Sequence, residues 1–584
     1  MIPRSEYPRP TLKRNADTCT ILNGQWHFRT EEKDESASAA EEQLISAIDK
    51  SCEEICVPFV MESKLSGIER LSAEPACTVW YAREFNLAEL SPCSRLLLHV
   101  GAADWESTVW INGAVAGSHR GGYTPFTLDI TRWAKEGENK IIIRVRDDVS
   151  DPLQPSGKQC AENTNHGCFY TRCTGIWQTV WLETVPDIYI TDTVCRPDCE
   201  NEKVTVDITL CGGDTDVDVC ITYKGEPVST LSGYSCNGTL SLQLPIPSPV
   251  LWDIGRGEVY DVELRAGRDC VTTYFGMRSI TTDGRHVILN GRPVFMRLAL
   301  DQGYYPEGIY TAPSVDCFEK DIRLMISAGF NGARMHMKVF EPGYIYAADM
   351  AGFLLWGEYP NWGLDISRPE AMASMLPEWM EAVVRDRNHP SVIGWCPFNE
   401  AFPGENEGLL SSVRSITKAL DPTRLFIDSS GWIHKGCTDI YDVHDYEQDP
   451  GVMAERYRCL YKEGPFFTNA FDGDSGYDGH MPYFVSEFGG AFFDLDSIQE
   501  ASAQESGGAW GYGEPPKTTE QLLDRFERLC GVLLDNHEIC GFCYTQFTDV
   551  MQEMNGVFTF DRRPKMPVES MKKAIGRKAA CENH

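Results

Sequence analysis

Two glutamates mark the ends of two apolar runs in this chain. The first closes Gly394-Trp395-Cys396-Pro397-Phe398-Asn399-Glu400, and the second lies in Tyr483-Phe484-Val485-Ser486-Glu487-Phe488-Gly489-Gly490. Both runs sit where strand-like stretches alternate with amphipathic, helix-like ones. That alternation predicts a parallel barrel, whose strand-end carboxylates face the mouth where barrel enzymes do chemistry. Two carboxylates facing one pocket can cleave a glycosidic bond. One, ionised, attacks the anomeric carbon, and the other, protonated, donates to the leaving oxygen. With the pair about 5–5.5 Å apart the configuration is retained. Placed on the fourth and seventh strands of a closed barrel, Glu400 and Glu487 would meet across one mouth.

Other side chains are weaker candidates. Asp301 follows the run 295–300 and could hold sugar hydroxyls or cap a turn. His336 and Lys338 end the second predicted barrel strand. His336 could bond a sugar hydroxyl. Lys338 could read a substrate anion, or be a solvated loop cation. Glu358 ends the run 353–357 and is equally well explained as a buried carboxylate paired with an arginine. Trp356, Trp362, Trp395 and Trp432 offer stacking faces, although core packing is the commoner role of any one tryptophan. The Gly/Asn-rich excursions 154–159 and 163–166 are long enough to reach a barrel mouth.

The elements that must position these groups fall into three blocks. At 584 residues the chain is too long for one hydrophobic core. Residues 1–186 are short, aromatic, alternating runs broken by Gly, Pro, Asn and Asp, as in a jelly-roll β-sandwich. Asn112-Gly113 is a hairpin turn signal. The acidic stretch 31–49 interrupts this block as an inserted helix or a loose excursion. Residues 187–282 have the length and pattern of an immunoglobulin-like β-sandwich acting as a spacer. In residues 283–584 the period changes. Strand candidates at 294–300, 332–337, 353–359, 392–400, 425–431, 440–446, 483–490 and 541–547 predict a catalytic (β/α)8 TIM barrel. The irregular segment 449–483 reads as a long loop over the site.

Composition bounds the partners. Fifty-three basic and 86 acidic residues leave a net charge of −33, which disfavours nucleic acid and anionic membranes. A small glycoside is the expected partner, and a homo-oligomer is left open. The 22 cysteines show no paired C-x-x-C pattern with a second pair or His cluster. No metal site and no cofactor are expected. A start without a signal-length apolar segment points to a reduced, cytoplasmic protein.

The chain resembles glycoside hydrolase family 2, which includes β-galactosidases, β-glucuronidases and β-mannosidases. The resemblance covers nearly its whole length. It is carried by Leu22-Asn23-Gly24-Gln25-Trp26-His27-Phe28, by Val109-Trp110-Ile111-Asn112-Gly113 with His119-Arg120-Gly121-Gly122-Tyr123-Thr124-Pro125-Phe126, and by Gly175-Ile176-Trp177-Gln178-Thr179-Val180-Trp181-Leu182-Glu183. Arg385-Asp386-Arg387-Asn388-His389-Pro390-Ser391-Val392 leading to Asn399-Glu400 is the most specific match. The resemblance implies that Glu400 is the general acid/base, that Asn399 contacts the sugar 2-hydroxyl, and that Glu487 is the nucleophile. It implies that Arg334 orients the nucleophile, and that His444 or Tyr446, at the end of the sixth strand, bonds it. Two departures matter. Phe398 stands where relatives usually have a small residue, which should reshape the pocket wall. Glu553, Met554 and Asn555 stand before Gly556, where typical β-glucuronidases carry an Asn-x-Lys pair that clamps the sugar carboxylate.

The expected activity is therefore that of a retaining exo-β-glycosidase, of β-galactoside type. A β-hexuronidase is the alternative, galacturonide before glucuronide, with Lys338 reading the acid. A transglycosylase or phosphorylase on the same scaffold, or a non-catalytic carbohydrate-binding protein, would be the readings from other classes.

Overall fold

The computed structural model describes residues 2–31, 53–402, 406–461, 466–468, 476–496 and 508–583. Most of the stretch 31–49, read as an insertion, lies outside the described residues.

The first block is a sandwich of two antiparallel sheets. One has four strands in the order Cys19–Ile21, Val180–Pro186, Ser94–Val100, Phe126–Asp129. The other has six, in the order Glu53–Val57, Gly24–Thr30, Ala76–Leu87, Gly137–Asp148, Glu106–Ile111, Ala114–Arg120. Alternating inward residues, including Trp26, Phe28, Val79, Tyr81, Ile141 and Ile143, form its core. The Asn112-Gly113 turn closes the hairpin Glu106–Ile111/Ala114–Arg120 with φ of 51° and 85°. Both central residues thus have the positive φ that a two-residue type I′ loop needs, which Asn tolerates and Gly adopts freely. The second block packs a three-stranded sheet (Tyr189–Asp198, Lys203–Cys211, Thr239–Pro245) over a four-stranded one, around Val206, Ile208, Val219, Val262 and Leu264.

The third block is the barrel. Its strands are β1 (Met296–Asp301), β2 (Gly332–Met335), β3 (Leu354–Glu358), β4 (Val392–Cys396), β5 (Leu425–Phe426), β6 (Tyr441–Asp445), β7 (Tyr483–Phe488) and β8 (Ile539–Tyr544). They form one sheet in the order β5-β4-β3-β2-β1-β8-β7-β6, and every neighbouring pair is parallel. Amphipathic helices such as Asp316–Ala328, Ala371–Asp386 and Thr519–Leu534 cover the outside. The last of these is capped by the Thr518 side chain, which accepts from Gln521 N. Leu298, Leu300, Trp356, Ile393 and Phe484 fill the lumen. A three-stranded meander (Ile280–Asp283, His286–Leu289, Arg292–Val294) adds Ile280, Val287 and Leu289 to the same cluster.

The fifth strand is shorter than the run 425–431 predicts. Asp428 explains it: its carboxylate accepts from Ser429 N (2.9 Å) and Lys435 N (2.8 Å). Local side-chain bonds of this kind compete with a ladder. Side chains join the β5–β6 seam instead. Ser430 Oγ lies 2.7 Å from Asp442 Oδ2 and 3.0 Å from His444 Nε2. The segment 449–483 opens with the helix Pro450–Tyr457, capped by Asp449, and part of the remainder lies outside the described residues.

Candidate active site

Glu400 follows β4 and Glu487 lies within β7. One oxygen of each, together with one nitrogen of His444, lies within 4.8 Å of the other two. That separation suits a retaining pair and is too short to hold the attacking water of an inverting one. The Glu400 backbone is pinned by its N–H to Ser430 O (2.8 Å) and adopts a left-handed φ of 52°. For a non-glycine residue this conformation costs on the order of 1–3 kcal/mol and persists only where its surroundings impose it.

Glu487 is 5% exposed and surrounded by donors. Arg334 Nη1, from β2, donates to Oε1 (3.0 Å), and the Tyr446 hydroxyl, just after β6, donates to Oε2 (2.5 Å). His444 Nε2 lies 3.4 Å from Oε1. Burial alone would raise this carboxyl, but His444, Arg334 and Lys158 outweigh it and hold it at about 2. His336 contributes little at neutral pH. Burial, Lys158 and Arg334 keep its own pKa well below the usual value, so its ring is neutral. Glu487 is thus ionised throughout the working range, as an attacking carboxylate must be.

Arg334 is held in turn. Its Nε donates to Glu358, its Nη1 also reaches Ser486 O (2.8 Å), and its Nη2 donates to Asn399 Oδ1 (3.2 Å). Glu358 Oε2 also lies 3.0 Å from His336 Nδ1 and accepts from Met337 N at 3.2 Å. Glu358 is therefore the buried, arginine-paired carboxylate. Because Arg334 occupies Asn399 Oδ1, the free end of that amide is its NH2, a donor with no acceptor among the described residues. Such a donor suits a sugar hydroxyl. Trp362 Nε1 donates to Asn399 O (3.1 Å), which fixes this indole beside the pair. Tyr446 stacks on Tyr512, with ring centroids 3.5 Å apart and planes 9° apart.

Two expectations need correction. Lys338 is not available to an anion in the pocket. Its ammonium donates to Gly303 O (2.6 Å) and Tyr310 O (2.8 Å) and lies 4.2 Å from the Tyr310 ring centroid. Burial pushes its pKa down to about 8. Asp301 serves as the turn cap: it accepts from Gly303 N (2.9 Å) and from the Tyr344 hydroxyl (2.9 Å). Neither residue bonds to Glu400 or Glu487. Phe398 is fully buried in the core that surrounds the barrel, and Trp356 and Trp395 are core residues too. After β8, Glu553 accepts from the Tyr170 hydroxyl and from Asn555 Nδ2 (2.9 Å), so an acid with its amide partner occupies the place of the missing lysine.

Sequence reading missed Lys158. It lies in the first-domain excursion 154–159, which does reach the barrel: Ser156 N donates to Trp362 O (2.8 Å) and Gly157 N to Pro360 O (3.2 Å). Lys158 is 8% exposed, and its ammonium lies 5.6 Å from the Trp362 ring centroid. Tyr512 was also missed. No periodic run marks it, and its stacking partner is distant in sequence. The one cluster of potential metal ligands among the described residues is Glu400, His444 and Glu487 themselves. Every described cysteine is a free thiol, and no described helix is long and apolar enough to cross a membrane.

Comparison with known proteins agrees with this geometry. Residues 19–186 match the sugar binding domain of glycosyl hydrolases family 2, residues 188–278 match a further model of glycosyl hydrolases family 2, and residues 311–491 match its TIM barrel domain. A β-glucuronidase of Paenibacillus borealis is 24% identical over 85% of this chain and 87% of its own length. That of Canis lupus familiaris is 24% identical over 73% and 70%. A relative from Formosa agariphila is matched over only 50% of its length. Among solved structures, a β-D-glucuronidase of Dictyoglomus thermophilum superposes with a TM-score of 0.76 at 22% identity, covering 98% of both chains. A family 2 β-galacturonidase of Eisenbergiella tayi does so with a TM-score of 0.74 at 18% identity, again covering 98% of both chains. Three domains matched in order, over most of the length and around one pair of glutamates, mean that the chain belongs to glycoside hydrolase family 2.

Proposed function

We propose that this chain is a retaining exo-β-glycosidase that removes one terminal β-linked hexose-class sugar from small glycosides. The carrying observation is the close pair of glutamates, Glu487 held ionised by His444 and Arg334, and Glu400 with an oxygen within 4.8 Å of it. In the first step Glu487 attacks the anomeric carbon while Glu400 delivers a proton to the leaving oxygen. In the second, Glu400 takes a proton from water, which displaces Glu487 and releases the sugar with its configuration retained. Arg334 and Tyr446 keep the nucleophile's lone pairs directed, and Asn399 donates to the 2-hydroxyl.

The glycone is neutral, such as galactose, or a hexuronate. The lack of an Asn-x-Lys pair before Gly556 favours galactose. A buried cation at the site favours the acid. A cytoplasmic setting suits the free thiols and the acidic surface. The test is a panel of aryl β-glycosides including galactoside, glucuronide and galacturonide, with the anomer released followed by NMR. First-formed β-product supports the proposal. First-formed α-product, or no cleavage of any member, contradicts it. Product analysis with an added acceptor sugar separates hydrolysis from transfer.

A further inference from the structure

Lys158 helps to hold Glu487 ionised from a distance but bonds neither glutamate, and the loop that carries it is tightly seated. Its own carbonyl accepts from Tyr170 N (2.8 Å). The next residue, Gln159, is locked by its amide to Asp104 Oδ2 (2.7 Å) and the Tyr123 hydroxyl (2.9 Å). The preceding Gly157 has φ +58°, and a Cβ there would meet Met337 O at 2.8 Å and Pro360 Cβ at 2.9 Å. The loop is therefore seated on the ends of β2 and β3, and the lysine points where that seating directs it. Trp362, over which its ammonium lies, bonds Asn399, the neighbour of Glu400. The ammonium is also near enough to Glu487 and Glu400 for both carboxylates to raise its pKa.

An ammonium offers three donors. Among the described residues none of those of Lys158 meets a hydrogen-bond acceptor, and no carboxylate lies close enough for an ion pair. The stem of the lysine is buried while its ammonium keeps an opening to solvent, so a ligand can supply the acceptors that the protein does not. Other buried cations of the barrel do have acceptors. Lys565 donates to Phe493 O and Asp549 Oδ1 (both 2.6 Å), Lys338 to two carbonyls, and Arg562 to Asp321 and to two carbonyls. Burial would favour loss of the Lys158 proton, but Cys168, Glu553, Glu487 and Glu400 raise its pKa and keep it charged.

A bare cation is a poor choice for a neutral sugar. The transition state develops positive charge at the anomeric carbon, which a nearby ammonium opposes in a pocket of low dielectric. Once Glu487 has become an ester its charge is gone, and the ammonium is less compensated still. A carboxylate carried by the sugar removes both difficulties, because it stays beside the lysine through both steps.

We propose that Lys158, contributed by the first domain, binds the carboxylate of a hexuronic acid glycone and makes this chain a β-hexuronidase. This rests on the glycosidase reading and adds the substrate class to it. The position also differs from that of the absent Asn-x-Lys pair, which would come from the loop after β8.

The experiment compares wild type, Lys158→Met and Lys158→Arg on nitrophenyl β-glucuronide, β-galacturonide, β-glucoside and β-galactoside. Binding of free glucuronate, galacturonate, glucose and galactose is measured alongside by calorimetry. Expected is a wild type that prefers one hexuronide over its neutral counterpart. The hexuronide-to-hexoside ratio of kcat/KM should fall roughly ten- to a hundredfold in Lys158→Met, the scale of one charge-assisted hydrogen bond, and recover in part in Lys158→Arg. Which epimer is preferred names the sugar. A wild type that prefers neutral hexosides, or a Met variant whose ratio is unchanged, overturns the assignment while leaving a glycosidase. Cleavage of no glycoside would remove the enzymatic reading. Calorimetry then decides alone: hexuronate binding lost in Lys158→Met sustains the role of this lysine, and no hexuronate binding in wild type rejects it.

Discussion

His444 bridges the two catalytic candidates: its Nδ1 lies 2.8 Å from Glu400 Oε1 and its Nε2 3.4 Å from Glu487 Oε1. Burial and Arg334 work against a charge on this ring, yet the two carboxylates raise its pKa above the usual value. One imidazole thus links the group that must stay ionised to the group that must cycle its proton.

Replacing it should show in the pH profile. In His444→Asn the Glu487 carboxyl loses a major cationic influence and moves up from about 2 towards the ordinary carboxylate range. A carboxylate with a raised pKa loses its charge as pH falls through the new value. The acidic limb of kcat/KM should therefore shift to higher pH, with roughly a tenfold loss at neutral pH, equivalent to about 1.4 kcal/mol. An unshifted acidic limb would show that the ring does not govern the nucleophile's ionisation.

Glu400→Ala removes the proton donor. Protonation matters most for poor leaving groups. Alkyl glycosides should lose roughly a hundred- to ten-thousandfold in kcat/KM, and activated aryl glycosides much less. Azide should restore turnover of the aryl substrates and yield a glycosyl azide. Equal losses on both, with no azide product, would assign Glu400 a structural role.

The wall behind the site makes a stability prediction. His434 Nδ1 lies 2.6 Å from Asp428 Oδ1, and Nε2 lies 2.9 Å from Asp442 O. Burial would lower its pKa, but these partners raise it to about 9. A histidine with a raised folded pKa stabilises fully below its unfolded value near 6.5, and that contribution is lost as pH rises through 9. It amounts to about 3 kcal/mol. Other buried groups titrate in the same window, among them Glu62 at about 8 and Glu378 at about 7. The measurement is therefore the difference in unfolding free energy between wild type and His434→Gln. It should shrink between pH 6.5 and pH 9. A difference constant with pH would mean that His434 is not charged in the folded protein.

Much of this was legible in the chain. The switch from period two to alternating strands and helices located the barrel, and the strand bounds lie within three residues of the expected runs except at the ends of β4 and β5, which stop four and five residues early. Glu400 and Glu487 were legible because a strand-end acid in a parallel barrel has few other places to point. Lys338 and Asp301 misled for the same reason. They also follow barrel strands, but local carbonyls and a turn N–H capture them, and the sequence does not show which acceptors lie nearby. Lys158 was invisible as a single residue, although the excursion that carries it was not. Its meaning depends on Gly157 fitting against Met337 and Pro360, a contact between two domains that no local pattern encodes.

The central claim is that Glu487 forms the covalent bond to the sugar. The most direct measurement is inactivation with a 2-deoxy-2-fluoro aryl glycoside of the preferred glycone, followed by peptide mass mapping. The fluorine slows release of the glycosyl-enzyme, so a single adduct on Glu487 is predicted. Glu487→Gln should take up none and lose at least roughly a thousandfold in kcat, the scale expected for a covalent-catalysis residue. An adduct on another residue, or a Glu487→Gln variant that keeps more than about a tenth of wild-type turnover, would contradict it.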